Sequence, residues 1–444
     1  MRAWRHVVPP PAGPDQKGPH MNQDPRDCDV AIIGAGIGGL TLALCLHAAG
    51  IACRVYEATP DIKPLGVGIN ILPHAVRVLD KLGLLDALSS VGVETREAAF
   101  YNAHGQFVYS EPAGRHAGYQ WPQFSIHRGD LQMVLLSAVK ARLGADAVVA
   151  DHRCTGFEQD DEAVMLQFSA AEGSVHAPVR AAIAVGCDGI HSAIRKQLYP
   201  NDGPPRYSGV NMWRGAVVMP PFLSGASMVR AGWLSVGKMV IYPIRDNVDG
   251  KGNQLINWVA EIETEQPARR DWNNRGTLED FFPAFANWHF DWLDVAAMIK
   301  GTETILEYPM VDQDPLPRWS FGRVTLLGDA AHPMVPRGSN GAGQAILDGP
   351  CLAAQLQALG LGAEALSAYD AIRGKATADV VLMNRRAPPD AILQKVHDLT
   401  GGAPFAHIDD VISNAALVAI SDSYKNVAGL NKDILNGTQP MEKQ

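Results

Sequence analysis

The feature that most constrains this chain is Gly34-Ala-Gly36-Ile-Gly-Gly39, which sits between two apolar runs of different texture. Ahead of it, Asp29-Val-Ala-Ile-Ile33 reads as a buried strand. After it, Leu40 to Ala49 reads as a helix that stops at Gly50. A second strand follows and ends in Arg54-Val-Tyr-Glu57. Residues 28–57 therefore predict a strand, a glycine turn, a helix and a strand. Glycines at this spacing allow the tight turn and let a pyrophosphate approach backbone amides at a helix N-terminus. A carboxylate about twenty residues further on suits the hydroxyls of an adenosine ribose. Gly34, Gly36, Gly39 and Glu57 thus predict a dinucleotide site, without separating NAD from FAD.

The rest of the composition narrows the class. The chain has 444 residues, of which 47% are hydrophobic and 19% charged, and a net charge of -9. That balance describes a globular protein and disfavours broad binding to nucleic acid or to an anionic membrane. Val30 to Cys53 is almost uncharged, but its glycine cluster argues for a buried strand and helix rather than a membrane span. The six cysteines form no CxxC pair. They read as small buried hydrophobes, which predicts no disulfide scaffold, no metal site and a cytoplasmic location. Residues 1–26 are Pro-rich and polar, lack the apolar core of a secretory signal and read as a disordered extension.

Beyond the first unit, a helix is expected over Pro73 to about Leu88, a hairpin near Asn102–Gly105 and a helix over Gly129 to Leu143. The texture changes after about Pro204. Asn211–Val218, Trp233–Ile244 and Leu255–Ile262 predict a separate antiparallel sheet, followed by a helical, aromatic-rich stretch over Thr277 to Ile299. The resulting fold class is α/β: a Rossmann-like dinucleotide-binding domain with an inserted antiparallel β-sheet substrate domain and C-terminal helices. The expected domains are 27–200 joined with 301–385, 201–300 for the inserted sheet, and 386–444 as a helical tail.

Two further motifs carry chemistry. Cys187-Asp188-Gly-Ile-His191-Ser192-Ala-Ile-Arg195 follows an apolar strand and opens a helix. Asp188 is placed to orient a nucleotide and Arg195 to fix the loop or meet a phosphate; the alternative is a plain turn with Asp188 as helix N-cap. Gly328-Asp329 ends another apolar strand and leads to Pro336-Arg337-Gly338-Ser339-Asn340-Gly341-Ala342-Gly343 at a helix start. Free N–H groups there form an anion site. A reduced isoalloxazine carries negative charge around N1 and O2, so this arrangement favours a flavin over a nicotinamide.

In this order and spacing, the three motifs resemble those of the single-component FAD-dependent aromatic hydroxylases, the para-hydroxybenzoate and salicylate hydroxylase class, and especially their phenazine-carboxylate branch. The resemblance covers about residues 28–426. It includes Pro64-Leu-Gly-Val-Gly-Ile-Asn70, Ser125-Ile-His-Arg128-Gly-Asp-Leu-Gln132, Met212-Trp-Arg214-Gly, Asn257-Trp-Val259, Tyr308-Pro-Met-Val-Asp312 and Ala345-Ile-Leu-Asp-Gly349. It implies that Gly34, Gly36 and Gly39 lie under the FAD pyrophosphate and Glu57 on the ribose. Gly68 would approach the flavin, and Arg128 would contact the ribityl–pyrophosphate stretch. Asp188 and Asp329 would serve the cofactor, and Gly338, Asn340, Gly341 and Ala342 would face the ring. It also implies that NAD(P)H reduces the flavin, that O2 adds at flavin C4a and that the hydroperoxide hydroxylates a small aromatic substrate, which the protein must hold while excluding water.

Arg214, Tyr242 and Pro336 are the catalytic candidates, and Trp213, Trp258 and Arg337 the substrate-binding ones. For the aromatic residues the competing reading is core packing. An Arg in an apolar strand, such as Arg214, needs a partner. Two positions depart from the phenazine branch. Arg337 replaces an apolar residue and either attracts an anionic substrate or is an exposed charge. Pro350 is expected to kink or reset its helix. Trp288 and Trp292 read as helix packing, and His127, His191 and His332 as hydrogen-bonding neighbours of motif residues. No second GxGxxG of similar context occurs, so NAD(P)H is expected to visit the same cleft. A monomer or homodimer is expected. The rival readings are the same scaffold doing Baeyer–Villiger, epoxidation or halogenation chemistry, the last weakened by the lack of a Trp-x-Trp-x-Ile motif, or a non-catalytic FAD or aromatic-ligand binder.

Overall fold

The computed structural model describes residues 27–265, 275–386 and 388–437; the expected extension over 1–26 lies outside them. Five strands run parallel: Val148–Val149, Cys53–Tyr56, Cys28–Ile33, Val179–Gly186 and Val324–Leu326. Val164–Ser169 and Arg153–Gln159 extend this sheet in antiparallel fashion. Val30, Ala31 and Ile32 are fully buried, because the sheet is covered on both faces. Coverage of both faces is why that run is continuously apolar instead of alternating. The helices Ile37–Ala48 and Gly341–Leu359 pack on each other beside it.

A second seven-stranded sheet has the order Leu306–Asp312, Arg206–Met219, Gln254–Glu263, Gly237–Arg245, Ser227–Trp233, Glu97–Tyr101, Phe107–Pro112. All its pairings are antiparallel except that of Ser227–Trp233 with Glu97–Tyr101. Thus the sheet expected within 201–300 also draws strands from 97–112 and 306–312. Its two faces differ sharply. One carries Trp213, Trp258, Val229, Met239 and Ile241 in an aromatic core with Phe281 and Phe285. The other carries Arg214, Asn257, Val259 and Tyr242. Register sets this division, since Arg214 lies opposite Val259 and Gly215 opposite Trp258, and neighbouring residues on a strand point to opposite faces. A three-stranded sheet, Gly68–Ile71 with Phe124–His127 and Gly92–Glu94, packs on the strand Gly237–Arg245.

Several elements differ from the sequence-based expectation. The helix expected over Pro73–Leu88 is broken into Pro73–Lys81 and Leu85–Ser89, because Gly83 adopts φ +67°. The run Trp233–Ile244 turns at Leu234–Val236 and so divides between two strands. The stretch Thr277–Ile299 is not one helix. Short helices Leu278–Phe281 and Val295–Lys300 flank a hairpin, His289–Phe290 with Leu293–Asp294. Its aromatic rings, Trp288 and Trp292 included, pack against the sheet rather than along a helix. The helix Gly341–Leu359 continues through Pro350 without being reset.

Candidate active site

The first glycine turn shows why each glycine is needed. Gly34 has φ +108°, and a Cβ there would lie 2.5 Å from the Cys187 carbonyl oxygen. A Cβ on Gly39 would lie 2.1 Å from the Gly34 carbonyl oxygen, so this residue lets helix and strand pack closely. Gly36 is different: a Cβ there meets nothing within 4 Å, and the helix it precedes has no side-chain cap. Its openness leaves room for a pyrophosphate at free N–H groups. Glu57 is oriented beside this turn. One carboxylate oxygen accepts from the Ala35 N–H at 2.8 Å, and the other from the Thr59 N–H at 2.9 Å and the Thr59 hydroxyl at 3.0 Å. The Gln132 side-chain amide donates to the Ala35 carbonyl at 2.8 Å and fixes the turn from the helix Arg128–Leu143.

Asp188 accepts from the Ala193 N–H at 2.7 Å through Oδ2. The cap of this helix is Ser192, whose hydroxyl accepts from the Arg195 N–H at 2.9 Å. Asp188 Oδ1 is left buried without a partner among the described residues, and burial raises the Asp188 pKa. Arg195 fixes the neighbouring loop: it pairs with Asp202 at 2.7 Å and donates to the Ala330 and Ala331 carbonyls at 3.2 Å each. Those carbonyls belong to the turn that presents Asp329.

Asp329 is exposed to the cleft yet crowded by protein on its other sides. The crowding raises its pKa, and His332 and Arg128 offset this. The turn is anchored by buried Asp348, which accepts from the Gly328 N–H at 3.1 Å, His332 Nε2 at 2.7 Å and Arg373 Nε at 2.7 Å. Burial alone would raise the Asp348 pKa, but His332 and Arg373 outweigh it and bring it down to about 2.

The loop before the helix Gly341–Leu359 is held from behind. The Asn340 side-chain amide donates to the Tyr424 hydroxyl at 2.8 Å, and that hydroxyl donates to Asn384 Oδ1 at 2.8 Å. His74 Nε2 lies 3.2 Å from Asn340 Oδ1, which can only accept. Burial lowers the His74 pKa to about 4, so the ring is neutral near neutral pH. A Cβ on Gly338 would lie 1.5 Å from the Tyr424 hydroxyl oxygen, so only glycine fits. Ser339 adopts φ +55°, a rarely used conformation for a non-glycine residue, within this braced loop. With Asn340 committed to these contacts, the helix N-terminus has no side-chain cap, and its first N–H groups remain available to an anion.

The second sheet meets the cleft at Gly68. Asn257 Oδ1 accepts from the Gly68 N–H at 2.7 Å, and Arg214 Nη2 donates to the Gly68 carbonyl at 2.7 Å. A Cβ on Gly68 would lie 2.7 Å from atoms of both Asn257 and Tyr242. Tyr242 is 3% exposed; burial raises its pKa, while Arg214 acts in the opposite direction. Arg214 Nε and Asn257 Nδ2 are buried and have no partner among the described residues. Arg128, whose N–H donates to the Val67 carbonyl at 2.9 Å, ties the Gly66–Gly68 loop to the cofactor side of the cleft.

These observations fit FAD. The free turn at Gly36, the oriented Glu57, the orphaned Asp188 Oδ1 and the uncapped helix start at Gly341 offer acceptors and donors suited to a ribose, a pyrophosphate and an anionic ring. The family model for the FAD binding domain matches residues 27–383. The chain belongs to that family. Its relatives include a phenazine 1,6-dicarboxylic acid hydroxylase from Lysobacter antibioticus, 42% identical over 405 residues, 90% of this chain and 97% of the relative. A 3-amino-4-hydroxybenzoate 2-monooxygenase from Streptomyces cremeus is 34% identical and covers 81% of this chain and 87% of its own. A salicylate hydroxylase solved as a substrate complex superposes with a TM-score of 0.68 at 23% identity, covering 92% of this chain and 97% of that one, and shows the shared fold. The protein is an FAD-dependent monooxygenase of the aromatic-hydroxylase class.

Contacts join Gly34 to Asp188, Glu57 to the Ala35 turn, and Gly68 to Arg214 and Tyr242, while three expected residues lie apart from these. Trp213 and Trp258 are 2% and 0% exposed and stack with Phe281 on the opposite face of the sheet from Arg214. Their place in the substrate set is corrected: strand alternation turns them into the core. Arg337 lies in a separate open cleft of about 640 Å³ at the sheet's edge, together with Val210, Trp233 and Leu234. Pro336 starts the short turn Pro336–Gly338 that leads to the cofactor loop. Sequence reasoning missed Asn257 as a site residue; its neighbour Trp258 drew the assignment, although a period of two puts Asn257 with Tyr242. It also missed Tyr424 and Asn384, which lie far along the chain and carry no local motif. All six cysteines are free thiols, and no metal-ligating cluster occurs among the described residues. Among those residues no helix is long and apolar enough to cross a membrane.

Proposed function

We propose that the protein hydroxylates a small, carboxylated aromatic or N-heteroaromatic compound, using NAD(P)H and O2. The relatives' substrates, a phenazine dicarboxylic acid and an aminohydroxybenzoate, support this class. The observation that carries the reading is the convergence of Arg214, Tyr242 and Asn257 on Gly68, with two buried donors, Arg214 Nε and Asn257 Nδ2, left over.

Bound FAD supplies the redox chemistry with O2, and the chain's residues do the positioning. Gly34, Gly36 and Gly39 admit the pyrophosphate, Glu57 takes the ribose, and Arg128, Asp188 and Asp329 hold the intervening chain. The amides of Gly341 and Ala342 stabilise negative charge on the ring. Arg214 and Asn257 fix the Gly68 loop, which would lie beside the ring. Tyr242 closes the roof beside Arg214 and keeps water from the reacting atoms. Pro336 would start the turn that leads into the loop facing the ring.

The test is a screen of phenazine carboxylates, aminohydroxybenzoates and hydroxynicotinates for stimulated NAD(P)H oxidation, with mass analysis of the products. Stimulation with a hydroxylated product is expected. Tight aromatic binding without turnover in a flavin-loaded protein would overturn the reading.

A further inference from the structure

The face of the second sheet that carries Arg214 and Tyr242 continues beyond the Gly68 contact. Val229 and Ala231 point into the aromatic core, so Met228 and Arg230 take the opposite face. Register extends that face: Met228 is opposite Ala98 and Arg230 opposite Phe100 on one side, and Arg230 is opposite Val240 on the other. Met228 clusters with Tyr242. A cavity opens against this row and is bounded by Ala98, Phe100, Met228 and Arg230. Gly338 and Ser339, in the loop before the helix Gly341–Leu359, line it too, as does Tyr424, whose hydroxyl accepts from Asn340 at 2.8 Å. Side-chain packing and lining thus connect the cavity both to Tyr242 and to the loop that the hydroxylase reading sets at the ring. Its volume is about 80 Å³, a slot for one edge of a flat ring.

Three charged side chains line the cavity: Glu111, Lys425 and Arg230. The first two satisfy each other. Glu111 Oε2 accepts from Lys425 Nζ at 2.8 Å, and from the Ser421 and Tyr109 hydroxyls at 2.7 and 3.2 Å. Arg230 is different. Its side chain is 7% exposed, and its Nε lies 3.0 Å from Asp390. Lys238 pairs with the other oxygen of Asp390 and donates to Glu261 at 2.9 and 3.0 Å. Two cations face two carboxylates, so the charges of this network cancel. What Arg230 lacks is an acceptor: its two terminal nitrogens make no hydrogen bond among the described residues and are not sealed off. A guanidinium carries five N–H donors, and leaving them unmatched in a buried site is costly. Phe100 lies 5.4 Å from the guanidinium carbon and helps to fix the group's plane.

Resting on the hydroxylase reading above, we propose that this cavity receives the carboxyl-bearing edge of the aromatic substrate and that Arg230 binds the carboxylate through its terminal nitrogens. Met228, Ala98 and Phe100 supply apolar contacts to the ring. Asp390 and Phe100 preset the guanidinium, which suits the planar, two-point geometry of a carboxylate. Hydrogen bonds of this charged kind change affinity by about tenfold or more.

The experiment titrates the FAD-loaded full chain, in its oxidised form, with aromatic acids and their decarboxylated counterparts and reads the perturbation of flavin absorbance. The pairs are phenazine-1-carboxylate with phenazine, 4-hydroxybenzoate with phenol, and 6-hydroxynicotinate with 2-hydroxypyridine. At least one acid is expected to bind about tenfold or more tightly than its counterpart. Arg230→Gln should erase that preference, and Arg230→Lys should retain part of it. Ala98→Leu, which narrows the slot and leaves the ion network alone, should weaken binding of the same acid while FAD content stays at the wild-type level. No preference for the acids in the unmodified protein overturns the proposal, and so does an undiminished preference in Arg230→Gln. Should Arg230→Gln fail to fold, undiminished affinity for the acid in Ala98→Leu overturns it. A chain that takes up no FAD would instead defeat the hydroxylase reading itself.

Discussion

Replacing Asp348 by Asn should destabilise the protein and loosen its cofactor loop at the same time. Asp348 is fully buried and is the shared acceptor for His332, Arg373 and the Gly328 amide. Its pKa falls from an ordinary 3.8 to about 2, which by linkage corresponds to about 2 kcal/mol of stability. The substitution also leaves the Arg373 guanidinium without its counter-ion, and breaking a buried pair from one side costs about 3–5 kcal/mol. Urea unfolding at pH 7 should therefore show a midpoint lowered by a ΔΔG of that order with an unchanged slope. The sign with pH follows from the depressed pKa. The contribution is present above pH 4 and is lost as pH falls toward 2, so the gap between wild type and variant should narrow over that interval. Because the same carboxylate holds the Gly328 amide, FAD occupancy after dialysis should also fall. A variant with the wild-type midpoint at pH 7 would refute the reasoning.

Other outcomes follow from the same geometry. Gly36→Val should fold with a near-native unfolding midpoint but lose FAD, whereas Gly39→Ala should be strongly destabilised, since only the latter Cβ strikes the backbone; thermal melts with flavin quantitation separate the two. Glu57→Ala should weaken FAD binding about ten- to a hundredfold by isothermal titration, the worth of charge-assisted hydrogen bonds. His74, with its pKa lowered to about 4, contributes stability above pH 6.5 that is lost as pH falls to 4, about 3 kcal/mol in all. His74→Gln should flatten that part of the pH–stability curve, and an unchanged curve would count against a buried neutral ring.

The sequence makes the cofactor half of the cleft legible because its residues are local. Gly34 to Glu57 form one contiguous unit, and Asp188, Asp329 and Gly341 each end a strand or start a helix, where turn chemistry leaves a signature. The substrate half is harder, since its residues meet only through sheet register. Trp213 and Arg214 are neighbours in sequence, yet they face opposite sides, and so do Asn257 and Trp258. The brace behind the flavin loop joins His74, Asn340, Asn384 and Tyr424 from four elements, and no spacing rule links them. Asp348 lies in the motif stretch Ala345–Gly349, but its role emerges only when Arg373 and His332 fold against it. The break at Gly83 and the hairpin at His289–Asp294 were hidden because apolar spacing alone does not reveal a left-handed glycine or a two-residue strand.

The most direct test supplies the FAD-loaded protein with NADH or NADPH, an aromatic acid that stimulates their oxidation, and isotopically labelled O2 in ordinary water. The account predicts a hydroxylated product carrying one labelled oxygen atom. A product whose new oxygen comes from water, or reductant consumption that yields only hydrogen peroxide with every acid, would contradict it.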